Sequence, residues 1–348
     1  MNFFQRKSLQ SWGIFLSVLS VCIALSYYAL HVELPQKSKP FLLYSNQSRD
    51  DARLLFKKAF QKAEKSIALN MYTLTDPVLI RQLEKESLQG KKISVCFDPK
   101  AGNPSIKKDI ERTPVRAAGI MHKKIVVIDS ALCFLGSTNM TTSSLLLHDN
   151  LTIGLYSPSL AAFLLEHERD KPISKKEIKK SHPSTPHLHF FCNQVEMDCY
   201  LLPDYSGIAL AHLISSIKEA KKSIFVAMFT LTQPLLVEQL IEAHKKGIKV
   251  EVLCDLYSCK GASSKAYKTL KEAGVYIKPS QGGKLLHHKW AFIDGQKLIL
   301  GSTNWTKAAF TQNQDLLLFI HNLPEKQRQK MEKIASTVKA SRLPSSYF

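Results

Sequence analysis

The sequence is poor in acidic residues and lacks the cysteine patterns that are typical of metal sites. Asp and Glu number 29 against 48 Lys and Arg, so the 348-residue chain has a net charge of +19. This charge excludes an acidic protein and favours anionic partners, namely nucleic acid, an anionic bilayer or a phosphate-bearing substrate. None of the seven cysteines belongs to a CxxC or Cys/His pattern with zinc-like spacing. The sequence therefore predicts neither a metal nor another cofactor.

The cysteines leave the redox compartment open. Two pairs are close enough in sequence to form disulfides, namely Cys192 with Cys199 and Cys254 with Cys259. Cys96 and Cys133 lie in apolar, strand-like runs, and we interpret both as buried thiols.

No charged residue interrupts the apolar run from Trp12 to Leu30. A helix of this length spans about 28 Å, which is close to the hydrocarbon thickness of a bilayer. Arg6 and Lys7 precede the run, and positive residues before such a segment favour an extracytoplasmic position for the chain that follows it. We therefore predict that residues 1–37 are a membrane anchor, or a signal segment whose cleavage would release a secreted protein.

Two segments of the chain repeat each other at an offset of 157 residues. Residues Ser66–Asp98 and Ser223–Asp255 align without a gap and are identical at 14 of 33 positions. Each copy contains an apolar run, a Thr-Leu-Thr-x-Pro segment, leucines at helical spacing, a glycine where the helix should end, and a second apolar run. We expect Thr75 and Thr232, two residues before the prolines, to cap the helices. A strand–helix–strand order predicts parallel strand pairing.

The repeat predicts an α/β fold with two homologous lobes, each a mixed, mainly parallel sheet flanked by helices. Lobe 1 is assigned to residues 38–170 and lobe 2 to residues 187–348. Between them, residues 171–186 are rich in Lys, Ser and Pro and are interpreted as an exposed linker. Three histidines lie in or beside this linker, and metal binding is the less favoured interpretation of them: His182, His187 and His189.

Each half also contains one copy of a spaced His, Lys, Asp and Asn motif. The copies read HxK, four residues, D, six residues, then GSTN, and every internal spacing matches. Residues two apart on a strand point to the same face, so each His and Lys should emerge together. The candidate catalytic residues are His122, Lys124, Asn139, His287, Lys289 and Asn304.

This set of residues suits the cleavage of a phosphodiester. A neutral imidazole can attack phosphorus, while lysine and asparagine hold the anionic oxygens, and a second, protonated imidazole can give its proton to the leaving oxygen. Asp129 and Asp294 each follow a strand and precede a turn, where an aspartate often fixes the backbone, so they are interpreted as supporting residues. Ser137 and Ser302 of the GSTN segments are assigned the same supporting role.

The duplicated HxK(x)4D(x)6GSxN motif resembles that of the phospholipase D superfamily. The resemblance covers about residues 40–320. It implies two lobes related by a pseudo-twofold axis, with both motifs in one active site, and a covalent phosphohistidine intermediate formed without a metal. Because one chain carries both motifs, it also implies that a monomer is functional.

The sequence departs from the family pattern at one position. In many members an Asn-x-Glu or Asn-x-Asp pair follows GSxN, and its carboxylate hydrogen-bonds the histidine of its own half. The second half keeps a carboxylate at this position in Asp315, whereas the first half has Asn150. We therefore expect Asp315 to hold His287 protonated as the general acid, and His122 to remain neutral as the nucleophile. A slip of one residue would instead bring Asp149 to His122.

Three functions remain open at this point. The membrane segment favours a phospholipid bilayer as partner and a phospholipid as substrate. Nucleic acid is the alternative substrate, since the positive charge serves either. A catalytically silent binding protein is disfavoured, because both HxK pairs and both asparagines are intact. A cardiolipin synthase ranks lower, because the arginine-serine pair that usually follows GSxN in those enzymes is missing. Trp305 is expected to pack under its turn rather than stack on a base.

Overall fold

The computed structural model describes residue 12 and residues 15–21, 32–107, 109–168, 184–281 and 283–341. Within these ranges no helix combines the length and the apolar character needed to cross a membrane. Residues 12 and 15–21 are helical, but the rest of the predicted membrane segment lies outside the described residues. Most of the predicted linker 171–186 also lies outside them.

Lobe 1 is built on a seven-stranded sheet with the order β1-β7-β6-β5-β2-β3-β4. Its strands are β1 (Phe41–Tyr44), β2 (Ser66–Met71), β3 (Lys92–Phe97), β4 (Glu111–Pro114), β5 (Lys124–Ile128), β6 (Leu132–Gly136) and β7 (Thr152–Tyr156). Its helices are α1 (Ala52–Lys62), α2 (Pro77–Leu88), α3 (Thr142–Leu146) and α4 (Pro158–Glu166).

Lobe 2 repeats this arrangement on an eight-stranded sheet with the order β12-β11-β10-β13-β14-β15-β9-β8. Its strands are β8 (His187–Cys192), β9 (Val195–Leu201), β10 (Ser223–Met228), β11 (Lys249–Cys254), β12 (Tyr276–Pro279), β13 (Lys289–Ile293), β14 (Lys297–Gly301) and β15 (Leu316–Ile320). Its helices are α5 (Ile208–Lys218), α6 (Pro234–Lys245), α7 (Leu256–Lys260), α8 (Ser264–Glu272), α9 (Lys307–Thr311) and α10 (Glu325–Ala340). The edge strand β8 has no counterpart among the described strands of lobe 1.

Both sheets are mixed, as predicted, but the expectation that they are mainly parallel is wrong. Among the strands, parallel pairing is confined to β2-β3-β4 and β10-β11-β12, that is, to the repeated strand–helix–strand units and the one strand added beside each. The motif strands pair in antiparallel fashion, β2 with β5, β5 with β6, and β6 with β7. The connection between β5 and β6 is too short for a parallel crossover, because parallel strands need a connection of a dozen or more residues.

The N-caps of the repeated helices lie one residue after the threonines that were expected to cap them. In lobe 1 the carboxylate of Asp76 caps α2 by accepting hydrogen bonds from the amides of Val78 and Leu79. In lobe 2 the equivalent Gln233 makes no side-chain cap. A proline at the first helical position leaves room for only the preceding residue as N-cap, so the threonines fall outside the helix.

One hydrophobic core joins the two lobes. Buried side chains of β5 and β7, such as Val127 and Leu155, belong to the same cluster as Trp290 of β13 and Leu318 of β15. Helix α10 of lobe 2 also reaches lobe 1, where Oε1 of Gln327 accepts a hydrogen bond of 3.1 Å from the β1 backbone. The shared core makes the two lobes one folded unit around their interface.

The smaller sequence predictions have mixed outcomes. All six cysteines in the described ranges are buried free thiols, so the buried character of Cys96 and Cys133 is confirmed and neither suggested disulfide is present there. Trp305 is 1% exposed and lies under its turn, as expected. His187 and His189 belong to β8 rather than to the linker, while His182 lies outside the described residues.

Candidate active site

The two motif histidines lie where the lobes meet. Each precedes its motif strand by two residues, and its backbone is bound by the other lobe. The amide of His122 donates to the carbonyl of Gln314 at 2.7 Å, and the amide of His287 donates to the carbonyl of Asp149 at 2.9 Å. These contacts are reciprocal, which is the property of an interface around a twofold axis. These backbone contacts therefore support the pseudo-twofold arrangement with one shared active site that the family resemblance implies.

A glycine in each GSTN segment allows the next strand to approach closely. A Cβ atom on Gly136 would lie 2.2 Å from the carbonyl oxygen of Leu151, and one on Gly301 would lie 2.0 Å from that of Leu316. Real Cβ atoms do not come this close to an oxygen, so only glycine fits. The approach brings residues 150 and 315 beneath the two serines of the motif.

The hydrogen-bond partners of the histidines cross between the lobes. Nδ1–H of His122 donates to Oδ1 of Asp315 at 2.8 Å. Nδ1–H of His287 donates to Oδ1 of Asn150 at 2.9 Å. The expectation that Asp315 partners the histidine of its own half is therefore wrong. The reciprocal backbone contacts explain the error, because they place the end of each lobe's motif against the histidine of the other lobe.

Other hydrogen bonds fix the orientation of the Asn150 amide. Its Nδ2 donates to the carbonyl of Ser144 at 2.9 Å, and its Oδ1 accepts from the hydroxyl of Ser137 at 2.8 Å. Oδ1 therefore faces His287, whose Nδ1 must carry the proton. The possible slip toward Asp149 does not occur, since that carboxylate accepts from Nδ2 of Asn46 at 2.9 Å instead.

The equivalent position of lobe 2 is a buried carboxylate. Asp315 is fully buried, and its Oδ1 accepts from the hydroxyl of Ser302 at 2.6 Å as well as from His122. Ser137 and Ser302 thus hold the partners of the histidines rather than the substrate, in agreement with their predicted supporting role. Both serines also accept from the backbone amide that follows that partner.

The two lysines lie beside the histidines in matching positions. Nζ of Lys124 donates to the carbonyl of His122 at 2.6 Å, and Nζ of Lys289 donates to the carbonyl of His287 at 2.9 Å. Each ammonium group also faces an aromatic ring, with centroid distances of 5.0 Å to Tyr72 and 5.1 Å to Phe229. The sequence reasoning missed these rings, although the 157-residue repeat aligns them with each other.

Burial dominates the electrostatics of the site. It lowers the pKa of His122 to about 4, with a further contribution from Lys124, although the Asp315 carboxylate acts in the opposite direction. It also lowers the pKa of Lys124 to about 7 and that of Lys289 well below its ordinary value. Burial and the two lysines lower the pKa of His287 well below its usual range. The expectation that His287 rests protonated because of Asp315 is therefore wrong.

These shifts share a physical cause with a functional consequence. Four groups that can carry a positive charge are held together out of water, with only the buried carboxylates of Asp315 and Asp255 acting against their charge. An anion entering the site would favour their protonated forms, because it supplies the missing negative charge. The site is thus arranged to hold an anion such as a phosphodiester.

The two motif asparagines are available to a ligand. Oδ1 of Asn139 and Oδ1 of Asn304 are both buried, and neither has a hydrogen-bond partner among the residues that the structure describes. Buried amide oxygens without a partner are costly. They occur at equivalent positions of both motifs, and it is the Nδ2–H group of each amide that can donate to an anionic ligand.

The motif aspartates have a structural role, as predicted. Asp129 accepts hydrogen bonds from the backbone amides of residues 64, 65 and 66 at 2.7–2.8 Å. Asp294 accepts from those of residues 221, 222 and 223 at 2.7–2.9 Å. Both residues have positive φ, at 49° and 53°, in the turn after the motif strand. Each carboxylate thereby ties this turn to the start of the neighbouring strand.

A second pair of aspartates positions the histidines and was not identified from the sequence. Oδ2 of Asp98 accepts from the amide of Met121 at 2.7 Å, and Oδ2 of Asp255 accepts from that of Leu286 at 3.1 Å. Each therefore holds the residue before a motif histidine. The signal was present, because both aspartates end the repeated segment of 33 residues.

The chain matches a family profile described as "Cardiolipin synthase, PLD-like domain" over residues 56–168 and 213–338. The two matched regions contain the two motifs. The chain belongs to the phospholipase D superfamily. Its two-lobed fold is also similar to the crystal structure of phosphatidylserine synthase from Haemophilus influenzae, with a TM-score of 0.70, 11% identity and coverage of 89% of this chain and 88% of that chain.

Curated relatives match a shorter part of the phospholipase D-like chain. Mitochondrial cardiolipin hydrolase from Xenopus laevis is 31% identical over 114 residues, which are 33% of this chain and 54% of the relative. Phospholipase D from Rickettsia typhi is 29% identical over 110 residues, which are 32% and 53% of the two chains. The chain thus spans about half the length of the curated relatives it matches.

Proposed function

We propose that this phospholipase D-like protein hydrolyses phospholipid phosphodiesters through a phosphohistidine intermediate. The observation that carries the proposal is the pair of buried motif histidines with fixed tautomers and different partners, a carboxylate for His122 and an amide for His287. Both histidines have Nδ1 protonated toward the partner, so both Nε2 atoms are left for the reaction. The different partners distinguish the two roles.

His122 is proposed as the nucleophile. Its lowered pKa keeps Nε2 unprotonated at neutral pH. When Nε2 attacks phosphorus, the N–P bond forms, the bond to the leaving oxygen breaks, and the imidazole becomes positively charged. Asp315 lies on the other side of the ring and stabilises this charge, in the way that a buried aspartate stabilises an imidazolium in hydrolytic triads. The carboxylate thus acts in the transition state rather than by keeping a histidine protonated.

His287 is proposed as the general acid and then the general base. Asn150 orients the ring but brings no charge, so the imidazolium of His287 is a stronger acid than one with a carboxylate partner. The bound phosphodiester anion favours its protonation, and Nε2–H then passes to the leaving oxygen. In the second step neutral His287 takes a proton from water, whose oxygen attacks phosphorus. The N–P bond breaks, and His122 returns to its neutral form.

The lysines and asparagines are proposed to hold the phosphoryl oxygens. Lys124 and Lys289 are buried beside the histidines, and Asn139 and Asn304 bring Nδ2–H donors at equivalent positions of the two motifs. Fixed donors in a buried site stabilise the charge that develops on the transferred group more strongly than water does.

A phospholipid is the favoured substrate class. The curated relatives described above are named as a cardiolipin hydrolase and a phospholipase D. The net charge of +19 suits an anionic lipid surface. A nucleic acid is the second candidate, because the same charge also attracts a polynucleotide. Attachment to a membrane through residues 1–37, with the lobes outside the cytoplasm, stays part of this proposal.

The test is a two-substrate assay of the purified protein in excess chelator, well below its melting temperature. We expect release of the head group from liposomes that contain cardiolipin, and little cutting of single-stranded DNA. The His122→Ala protein is the matched control for contaminating activity. Efficient cutting of DNA without lipid turnover would replace the lipid by a nucleic acid. Loss of both activities in chelator, with recovery on addition of a divalent ion, would contradict the mechanism.

A further inference from the structure

A buried carboxylate surrounded by histidines lies in lobe 2, apart from the two motifs. Asp198 of β9 is 6% exposed. Its Oδ1 lies 2.7 Å from Nε2 of His187 and 3.1 Å from Nδ1 of His189, and its Oδ2 lies 2.6 Å from Nε2 of His321. The two histidines of β8 thus meet His321, the residue after β15, at the carboxylate of Asp198. No step of the proposed hydrolysis uses this cluster.

A fourth histidine completes the group from a helix. One ligand atom each of Asp198, His212 and His321 lie within 4.8 Å of one another. His212 belongs to α5, and its Nδ1 is hydrogen-bonded to the hydroxyl of Tyr200 at 3.0 Å, which leaves Nε2 available. A hydrogen bond to the second ring nitrogen is the usual device that orients a metal-bound histidine.

The dimensions of the cluster suit a tetrahedral zinc ion. Zinc binds imidazole nitrogen and carboxylate oxygen at about 2.0–2.2 Å, so neighbouring ligand atoms in a tetrahedron are roughly 3.4 Å apart. The ligand atoms of Asp198, His212 and His321 lie within 4.8 Å of one another, and Nε2 of His321 lies 2.6 Å from Oδ2 of Asp198. Side-chain movements of about 1 Å, apart for the closest pair and together for the others, would give the tetrahedral spacing. Nitrogen-rich sets of this kind favour zinc-type ions over magnesium or calcium, which prefer oxygen.

Ring stacking preorganises the same side chains. The ring of His212 stacks on Phe319 with a centroid distance of 4.0 Å, and that of His187 stacks on Tyr200 at 4.2 Å. These contacts hold the rings of two of the histidines in place before an ion binds, so less side-chain freedom is lost when the site forms.

We propose that Asp198, His212 and His321, with His187 as the fourth ligand, form a zinc-type metal site with a structural role. The ion would join β8 and β9 to α5 and to the end of β15. Asp198 pairs with Phe319 near that end of β15, whereas the active-site Asp315 precedes its other end. The site is therefore separate from the chemistry, and metal binding is expected to stabilise lobe 2 without changing turnover.

The experiment is a zinc titration of the purified full-length protein after removal of metals with chelator. We expect one zinc ion per chain to remain after dialysis, and a rise in Tm of about 4 °C or more when zinc is in hundredfold excess over its Kd. The variants Asp198→Asn and His321→Ala should lose both effects. The control His244→Ala, which changes a histidine of α6 outside the cluster, should keep both.

The wild-type titration decides the question even where a variant fails to fold. Absence of bound zinc together with an unchanged Tm would overturn the proposal. An equal rise in Tm with magnesium would also overturn it, because magnesium does not favour imidazole ligands. Turnover of a soluble phosphodiester well below Tm should be the same with and without zinc. Loss of turnover on removal of zinc would show that the metal is not purely structural, and would contradict this proposal.

Discussion

The two lobes share a scaffold and differ at the atoms that touch the histidines. Both have the same strand order around the motif, the same lysine over an aromatic ring, and the same aspartate that binds three backbone amides. At equivalent positions further along the chain than the GSTN segments, lobe 1 has Asn150 and lobe 2 has Asp315. Because these side chains cross the interface, lobe 1 presents a histidine with a carboxylate partner, and lobe 2 one with an amide partner.

The comparison shows how the two copies of a duplicated motif can take different catalytic roles. An equivalent pair of histidines would compete for the same role, since each would have the same pKa and the same stabilisation of its charged form. A carboxylate beside His122 favours the charge that forms on nitrogen when it attacks phosphorus. An amide beside His287 orients the ring and keeps its proton easy to release. In the proposed mechanism, the difference of one side chain thus assigns the attack to His122 and the proton transfers to His287.

Removal of each histidine should produce the largest effect and the clearest contrast. His122→Ala should abolish turnover of every substrate, because no covalent intermediate can form. His287→Ala should lose about 10²–10⁴-fold on phospholipid but recover with a p-nitrophenyl phosphodiester, whose leaving group needs no proton. The rescue of His287→Ala over His122→Ala should reach about 100-fold.

Steady-state kinetics and acid-quench trapping of the phosphoenzyme measure this contrast. Label that accumulates on His287 in the His122→Ala protein would reverse the two roles. Equal inactivity of both variants toward p-nitrophenyl esters would show that the partners do not distinguish the histidines.

Exchange of the carboxylate should produce the next largest effect. Asp315→Asn is expected to lower kcat by about 10²-fold on phospholipid and on p-nitrophenyl esters alike, since partners that orient and charge a reactive imidazole contribute on this scale. Asp315 raises the pKa of His122, so its loss should lower that pKa below about 4. The acid limb of kcat/KM, where His122 becomes protonated, should therefore move to lower pH.

A pH profile of kcat/KM measures this shift, because it reports the groups of the free enzyme. The matched control is Ser302→Ala, which removes one hydrogen bond to the same carboxylate and should have a smaller effect. Unchanged turnover of p-nitrophenyl esters by Asp315→Asn would show that the carboxylate does not assist the nucleophile.

The introduction of a second carboxylate should give both histidines the same kind of partner. It should shift the pH profile of activity by a moderate amount. Asn150→Asp places a negative charge at the Nδ1–H of His287 and raises its pKa, typically by about 1 unit or more. The alkaline limb of activity, where the general acid loses its proton, should move to higher pH by a similar amount. A profile that does not move would indicate that His287 is not the acid. Asn150→Ser serves as the control that changes the partner without adding charge.

The smallest difference between the lobes is expected for Asp129 and Asp294, the aspartates that bind backbone amides at the motif turns. Each carboxylate binds three backbone amides, so Asp129→Ala and Asp294→Ala should both destabilise the protein by roughly 2 kcal/mol at neutral pH. Burial raises the pKa of Asp129, but the amides of residues 64–66 outweigh it and lower the pKa overall. Its contribution is therefore present above the pKa of the unfolded chain and is lost as the pH falls through the folded pKa.

Urea unfolding at neutral and at acidic pH measures both variants. Equal losses in the two lobes would agree with their matched geometry. A loss of activity without a loss of stability would instead assign these aspartates to the chemistry.

Much of the fold was contained in the sequence. Repetition at fixed offsets identified two lobes, and the glycines Gly90 and Gly247, with φ of 84° and 83°, end their helices as predicted. The motif spacing identified the catalytic candidates, because the demand for a histidine and a lysine on one strand face is local. The antiparallel pairing of the motif strands was not predicted, although the short connection between β5 and β6 already excluded a parallel crossover.

What the sequence could not determine is which side chains meet across the interface. Asp315 and Asn150 were recognised as the one asymmetry of the repeat, yet each was assigned to its own half, since sequence spacing carries information only about the local chain. The reciprocal backbone contacts at Met121 with Gln314 and at Asp149 with Leu286 decide the exchange. The cluster around Asp198 depends on folding in the same way. His321 lies 123 residues from Asp198 in the sequence and meets it only in the folded protein.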